Sequence, residues 1–599
     1  MLKVIKELFA LLTPAQRKRF FILQILVIFM TFGEILGIAS IAPFMALVSD
    51  IDILQRDNIL TMFYQQTGFI DPYNFVFFLG VCVIVFLTLA SILSMLTTWK
   101  LLMFSSSVGT EIADRLYSYY LKQPWLFHAN GSSAQLTKQV SSESIRVTDS
   151  IITPLMVMNA KLVFSIVLSI IMFIYNPIVA LAGIVIFSLA YLILYKIVKK
   201  RLQENGRNIS TLSTERFGLM NEGFGGIKDI LLLGKSEYFV NRFTKSSVKF
   251  AYARGNSMVL GQVPKFFIEL LAFASMLSLV LYLLIANKNN LTMILPILSV
   301  YALTGFKLLP AFQQIYSSIS SIKANIAAFE AIRDDLVATK KLSNNIEQIE
   351  IKDKIIPNES IELKDVSFIY PNKNIKALDC INMSIKANSI VGIVGHSGSG
   401  KSTAIDILLG LISPQKGQLK VDGKTITEIN LRTWQNSIGF VPQSIFISEC
   451  TIAQNVAFGI SEENIDINKV KQALKLAHLE ELVNDMPNGI DTKVGERGVQ
   501  LSGGQRQRIG IARALYNDAS LLVFDEATSA LDGITEKMIM QAIHDFTGKK
   551  TIVMIAHRLK TVEKCDIIYF MEKGKVVDSG TYIELVEKNH KFRKMAKYS

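Results

Sequence analysis

The chain has 599 residues, half of them hydrophobic, and a formal net charge of +13. That length points to more than one domain, and the apolar excess before about Phe312 excludes a wholly soluble protein. Four scattered cysteines, Cys82, Cys380, Cys450 and Cys565, show no CxxC spacing and exclude a disulfide framework or a zinc site. No nucleic-acid recognition motif accompanies the basic charge, so nucleic acid is not an expected partner.

Membrane-length apolar segments come first. A spanning helix needs ~20 mostly apolar residues. Six segments qualify: 20–48, 74–96, 153–175, 178–197, 266–285 and 291–312. The charged start of the chain and the length of the first apolar run argue against a cleavable signal peptide. Asn176-Pro177 leaves room only for a tight hairpin between the third and fourth spans. Lys3, Lys6, Arg17, Lys18 and Arg19 precede the first span, whereas the loop after it carries Asp50, Asp52, Asp57 and Asp71 against Arg56. Basic residues gather in loops on the cytosolic side, so both chain termini are expected in the cytosol. The stretches 100–150 and 199–262 keep apolar positions at helical spacing, which predicts helices that run on into the cytosol. Between the first two spans, Ile59, Leu60, Met62, Phe63 and Tyr64 lie among polar residues, as in a short amphipathic helix on the outer face. Glu34, Lys161, Lys265, Glu269 and Lys307 lie within the spans. A charge there costs ~2.5–3.5 kcal/mol and faces protein or a wet cavity. Lys265 and Glu269, four residues apart, can neutralise each other; Lys161 and Lys307 can snorkel. For Lys265 and Lys307 a structural role and a substrate-cavity role stand equally open.

The domain boundaries expected are a membrane domain over 1–335, a polar linker over 336–357 and a soluble domain over 358–599. In the soluble part the apolar strand 389–394 leads into Gly395-His396-Ser397-Gly398-Ser399-Gly400-Lys401-Ser402, and an apolar helix follows. The glycines let successive N–H groups point at phosphate oxygens, and the helix N-terminus adds partial positive charge. Lys401 reaches the terminal phosphates, and the Ser402 hydroxyl suits Mg²⁺. Further on, Ser502-Gly503-Gly504-Gln505 opens another helix and forms a second anion cradle. Leu521-Leu522-Val523-Phe524-Asp525-Glu526 is an apolar strand ending in two carboxylates.

Phosphate loop, second cradle and carboxylate strand, joined to six spans, resemble the ABC transporter family in its half-transporter form. The fold implied is a six-span helical membrane domain of the exporter type (type IV) fused to an α/β P-loop ABC nucleotide-binding domain. The resemblance implies ATP and Mg²⁺ as cofactors. It also assigns roles to individual residues. Tyr370 stacks on adenine, and the loop from Gly395 to Ser402 with Thr403 holds phosphates, His396 sitting at a variable position. Gln443 contacts Mg²⁺ and the attacking water. Asp525 holds Mg²⁺, Glu526 polarises the water, and His557 contacts the γ-phosphate. Residues 527–532 match the loop after the carboxylates. Val494-Gly495-Glu496-Arg497-Gly498 resembles an exporter segment that signals to the coupling helices, and turns near 123–131 and 223–228 correspond to those helices. Because the Ser502–Gln505 cradle closes on nucleotide bound by another subunit, a dimer is implied, and the intact motifs favour a homodimer.

Within that family the chain most resembles bacterial flippases of lipid-linked oligosaccharides. The likeness rests on the run Gly33-Glu34-Ile35-Leu36-Gly37, the outer loop, Val263-Pro264-Lys265 and Lys307-Leu308-Leu309-Pro310. It implies that Lys265 and Lys307 line a cavity for a pyrophosphate head group, that the partners are membrane lipids and a lipid-linked sugar, and that the site is the bacterial inner membrane. A general lipid, drug or peptide exporter is the alternative.

Overall fold

The computed structural model describes residues 2–598 except 50, 52–53, 55–58, 176, 287–290, 344–352, 372, 496–497, 499, 527–532, 545 and 557. The chain divides into two units. One comprises Met1–Gln123 and Asn130–Ile346, the other Pro124–Ala129 and Glu347–Ser599.

The first unit is helical. The helices of this part of the chain are, in order, α1 (Leu2–Leu11), α2 (Pro14–Ala39), α3 (Ile41–Ser49), α4 (Ile59–Thr67), α5 (Pro72–Leu121), α6 (Trp125–Asn130), α7 (Ser133–Lys138), α8 (Ser144–Val147), α9 (Thr153–Tyr175), α10 (Pro177–Gly225), α11 (Ile227–Leu232), α12 (Ser236–Ala286) and α13 (Leu291–Ser343); all of α6 but Asn130 belongs to the second unit. Among the described residues, five helical segments are long and apolar enough to cross a membrane: Pro14–Val48, Pro72–Leu121, Ser133–Ile174, Ala180–Gly225 and Ser236–Ser278. The sixth expected span falls in α13, where the side chains of 291–300 lie outside the description. α2 starts where Thr13 caps it: the Thr13 hydroxyl accepts from the Gln16 N–H at 3.3 Å and Gln16 Oε1 accepts from the Thr13 N–H at 2.9 Å. Pro14 follows as the first helical residue, where its missing N–H costs nothing.

α5 has 50 residues and α13 has 53. At 1.5 Å per residue each is about 75 Å or longer, against about 30 Å of hydrocarbon, so both continue far beyond an apolar layer. α10 and α12, of 49 and 51 residues, are as long, and α5, α10 and α12 agree with the helical spacing read from 100–150 and 199–262. Glycine permits the closest helix approach: a Cβ on Gly206 of α10 would stand 2.0 Å from the Ala324 carbonyl of α13. The loop between the first two expected spans does form a helix, α4. It packs Tyr64 against buried Phe75, with ring centroids 5.0 Å apart, and leaves Met62 and Phe63 exposed.

Between α7 and α9 the helix widens into π-turns at Gln139–Glu143 and Thr148–Ile152. Glu143, fully buried, binds Lys138 at 2.7 Å and Arg146 at 2.8 Å. Lys138 also donates to Thr214 Oγ1 at 2.7 Å and Arg146 to Asn325 Oδ1 at 3.1 Å, tying this segment to α10 and α13.

The second unit is α/β. Its strands are β1 (Ser360–Phe368), β2 (Leu378–Lys386), β3 (Ile390–Val394), β4 (Lys416–Val421), β5 (Lys424–Thr425), β6 (Ile438–Val441), β7 (Leu521–Asp525), β8 (Thr551–Ile555), β9 (Ile567–Glu572) and β10 (Lys575–Gly580). A four-stranded antiparallel sheet runs β2-β1-β4-β5, and a six-stranded sheet runs β10-β9-β3-β8-β7-β6. All neighbours in the second sheet are parallel except β10 with β9. β3 and β8 are buried throughout, as expected for parallel strands covered on both faces. In the same unit, Leu126 of the short 124–129 segment packs against the core cluster built on Val391, Ile393 and Trp434.

Candidate functional site

The phosphate loop leaves the C-terminal end of β3, the carboxylate pair the end of β7, and Gln443 follows β6. The strands are parallel, so these groups meet at one sheet edge, where open α/β sheets bind ligands. The helix Lys401–Leu408 begins at Gly400, whose φ is 102°, a left-handed conformation natural to glycine. A Cβ on Gly398 would meet no atom within 4 Å, so the loop there lies open to a ligand. Lys401 is buried, and its ammonium donates to the carbonyls of Gly395 at 2.8 Å and His396 at 3.1 Å. Burial pulls its pKa down, and the charges of Glu526 and Asp525 push it back up. Ser399 Oγ is buried without a hydrogen-bond partner. An open loop, a buried lysine and an orphaned hydroxyl fit a phosphate chain. The Tyr370 hydroxyl lies 3.1 Å from Thr403 Oγ1, and Phe368 braces the ring edge-on at 5.0 Å.

Glu526 has φ 50°, and its carboxylate accepts from Gln443 Nε2 at 2.7 Å. The Gln443 amide and the second carboxylate are thus brought together. Behind them Asp406, on the Lys401–Leu408 helix, is pushed up to about 6 by burial and, to a lesser degree, by the charge of Asp525. No motif had singled out Asp406. Its signal, an acid among apolar residues just after a phosphate loop, is visible only in hindsight. Ser502 caps the helix Gly503–Tyr516: its hydroxyl accepts from the Gln505 N–H at 3.2 Å while Gln505 Oε1 accepts from the Ser502 N–H at 2.7 Å. Gly503 and Gly504 form the first turn behind this cap. His557 and residues 527–532 lie outside the described residues, as do Glu496 and Arg497.

In the first unit a cavity of about 460 Å³ is lined by Glu34 of α2, Lys161 of α9, and Lys307 and Gln314 of α13. Glu34 Oε1 accepts from Ser94 Oγ at 2.7 Å, and the Lys161 ammonium rides 5.7 Å over the Phe164 ring. Lys307 therefore reaches a cavity. Lys265 does not line it and stands 3.9 Å from Glu269, which also accepts from Gln313 at 3.4 Å. Sequence reading had noted Lys161 only as a residue able to snorkel, because spacing cannot tell which spans face one another.

A bundle with membrane-length helices on one chain with a phosphate-binding α/β unit defines an ATP-hydrolysing membrane transporter. Residues 378–529 match the family model of the ABC transporter, and residues 20–307 that of the ABC transporter transmembrane region. The chain belongs to the ABC transporter family, as an exporter-type half-transporter that spans the membrane several times and couples ATP hydrolysis to transport. Among its relatives is the ATP-dependent lipid A-core flippase of Ralstonia nicotianae, 30% identical over 505 residues and 82% of each chain. Another is the protein of the same description from Salmonella paratyphi A, 29% identical over 518 residues, 86% of this chain and 87% of the relative. A solved bacterial Atm1-family ABC exporter with ATP bound shares the fold, with a TM-score of 0.79 at 20% identity over 98% of this chain and 99% of that one.

Proposed function

We propose that two copies of this chain flip a polyprenyl-pyrophosphate-linked sugar from the cytosolic to the outer leaflet of a bacterial inner membrane, with both termini of each copy in the cytosol. The observation that carries the cargo reading is the cavity that gathers Lys161 and Lys307 in a membrane-spanning bundle. Two ammonium groups in a wet apolar setting suit a diphosphate head group, and Glu34 opposite them keeps the emptied cavity from holding two uncompensated charges. Lys265, paired with Glu269 outside that cavity, has the weaker claim to substrate.

In the nucleotide site, Tyr370 offers a ring for the adenine, and the loop from Gly395 to Thr403 cradles the phosphates. Lys401 exchanges the carbonyls of Gly395 and His396 for phosphate oxygens. Ser402, Gln443 and Asp525 would hold Mg²⁺. Bound ATP with Mg²⁺ supplies the phosphoanhydride whose cleavage drives transport. Glu526, released from the Gln443 amide, accepts the proton of the attacking water, and His557 donates to the terminal phosphate. Ser502, Gly503, Gly504 and Gln505 present a helix N-terminus to the nucleotide held by the second copy, so one copy alone cannot close a site. The packing of Leu126 against the core of the nucleotide-binding unit supports 124–129 as a coupling segment.

Transport of lipid A-core itself is the second reading, favoured by the descriptions of the relatives. A general lipid, drug or peptide exporter is a third. ATP turnover in nanodiscs separates them. Discs holding two copies should be stimulated by a polyprenyl-pyrophosphate oligosaccharide above lipid A-core and above unrelated drugs, and discs holding one copy should stay at background. Stimulation by lipid A-core alone would replace the cargo reading, and full activity from single copies would remove the dimer.

A further inference from the structure

The first unit holds another cavity, of about 190 Å³, which the proposed transport cycle does not use. It lies between α1, the start of α2, the C-terminal half of α5 and the start of α9. Its walls are apolar, with Leu8, Phe9, Phe104, Val108, Leu155 and Leu162 among them. An apolar cavity of ~150 Å³ stays dry and admits benzene. This one is therefore large enough for a stretch of hydrocarbon chain and too small for a whole lipid.

Its rim is polar and built around the C-terminal end of α1. Arg17 Nη2 donates to the Ala10 carbonyl at 2.9 Å, and Lys340 Nζ to the same carbonyl at 3.1 Å. Arg115 Nη1 donates to the Leu11 carbonyl at 3.2 Å. The Nε atoms of Arg17 and Arg115 are buried without a hydrogen-bond acceptor. Glu111 is the one carboxylate among the described lining residues; it accepts from Gln16 Nε2 at 2.6 Å and stands 3.9 Å from Arg115. Arg17 and Arg115 against that carboxylate leave the rim positive, and the exposed Lys18 and Arg19 follow Arg17 in the chain. Helix carbonyls satisfy part of the donor capacity of these cations and none of their charge. An apolar slot beside an under-neutralised cationic rim, at the foot of the first membrane helix, is complementary to a lipid with an anionic head group.

We propose that this cavity holds part of one acyl chain of a resident anionic phospholipid, whose phosphate rests on Arg17 and Arg115. The lipid staples α1 to α5 and α9. It stays in place while cargo crosses, so the site does not depend on which cargo the transporter carries.

The test is photolabelling in nanodiscs with two probes that carry the same diazirine acyl chain, one on phosphatidylglycerol and one on phosphatidylcholine. The phosphatidylglycerol probe should mark α1, α5 and α9 around the cavity at least several-fold more than the phosphatidylcholine probe. Leu155→Trp, which fills the slot, should abolish that mark. Arg17→Gln combined with Arg115→Gln should equalise the two probes, an independent reading should the tryptophan variant fold poorly. Equal marking of the wild-type protein by both probes overturns the proposal. So does an unchanged mark in Leu155→Trp, or loss of the mark when ATP is added before irradiation, which would identify the occupant as cargo.

Discussion

Glu526 holds a left-handed backbone conformation at φ 50°, which costs a non-glycine residue roughly 1–2 kcal/mol. The strain is held in place by the hydrogen bond from its N–H to the Ile555 carbonyl at 3.2 Å, and strain of this kind gathers at functional sites. Replacement by glutamine keeps the backbone and the side-chain length and removes only the base. Glu526→Gln should therefore bind ATP as the parent does and release phosphate ~10²–10⁴-fold more slowly, as read by phosphate release beside nucleotide binding. Asp406 offers a test of electrostatics in the same site. Its folded pKa is raised from 3.8 to about 6 by burial first and by Asp525 second. The native state thus holds the proton more tightly than the unfolded chain, and this site's contribution becomes steadily less favourable as pH rises from about 4 to about 6. Asp406→Asn should stabilise the nucleotide-free protein at pH 7.5 by on the order of 1 kcal/mol after discounting for partial solvent screening, read as a higher melting temperature. The advantage should shrink below pH 6 and disappear near pH 4; an advantage independent of pH would contradict it. The placement of Gln443, Asp525 and Glu526 at neighbouring strand ends was legible in sequence because motif and strand context coincide. The hydrogen bond that joins Gln443 to Glu526 was not, because it spans strands far apart in the chain.

Among the elements, the segment from α7 to α9 is the most constrained piece of the first unit. Two π-turns widen the helix there, and such turns often mark functional positions. Glu143 is the anchor, buried between Lys138 and Arg146. Removing one member of a buried ionic cluster leaves the others uncompensated and costs ~3–5 kcal/mol. Glu143→Ala should lower the melting temperature of the detergent-solubilised protein sharply, with Lys138→Met/Glu143→Met recovering part of the loss. A Glu143→Ala variant as stable as the parent would show that the cluster is solvated. None of this was legible in the sequence, where Ser-Ser-Glu-Ser-Ile-Arg reads as one more polar stretch of a long helix. Helical periodicity does not distinguish an α-turn from a π-turn. The long helices were legible, since their apolar spacing persists over many turns, and α4 was legible from its apolar residues set beside polar ones. The break at Ser40 that divides α2 from α3 was not, because the residues on both sides are uniformly apolar.

For the whole molecule, the nucleotide-binding unit was readable because its motifs recur at strand ends in a fixed order, whereas the cavity at Lys161 and Lys307 required three dimensions. Lys161 and Lys307 are separated by more of the chain than any pattern spans, and only packing brings α2, α9 and α13 around one cavity. Lys265 looked equally suitable in sequence, and its neighbour one turn away explains why it is held elsewhere. The central claim is that ATP hydrolysis moves an anionic lipid-linked sugar through that cavity. Proteoliposomes carrying a fluorescent polyprenyl-pyrophosphate oligosaccharide, with ATP supplied on the side of the nucleotide-binding units, test it most directly. Cargo should leave that leaflet for the other as ATP is consumed, and the transfer should stop in Glu526→Gln and fall strongly in Lys161→Glu/Lys307→Glu, which keeps basal ATP turnover. Sustained ATP hydrolysis with no movement of the labelled lipid, or movement indifferent to both variants, would contradict the account.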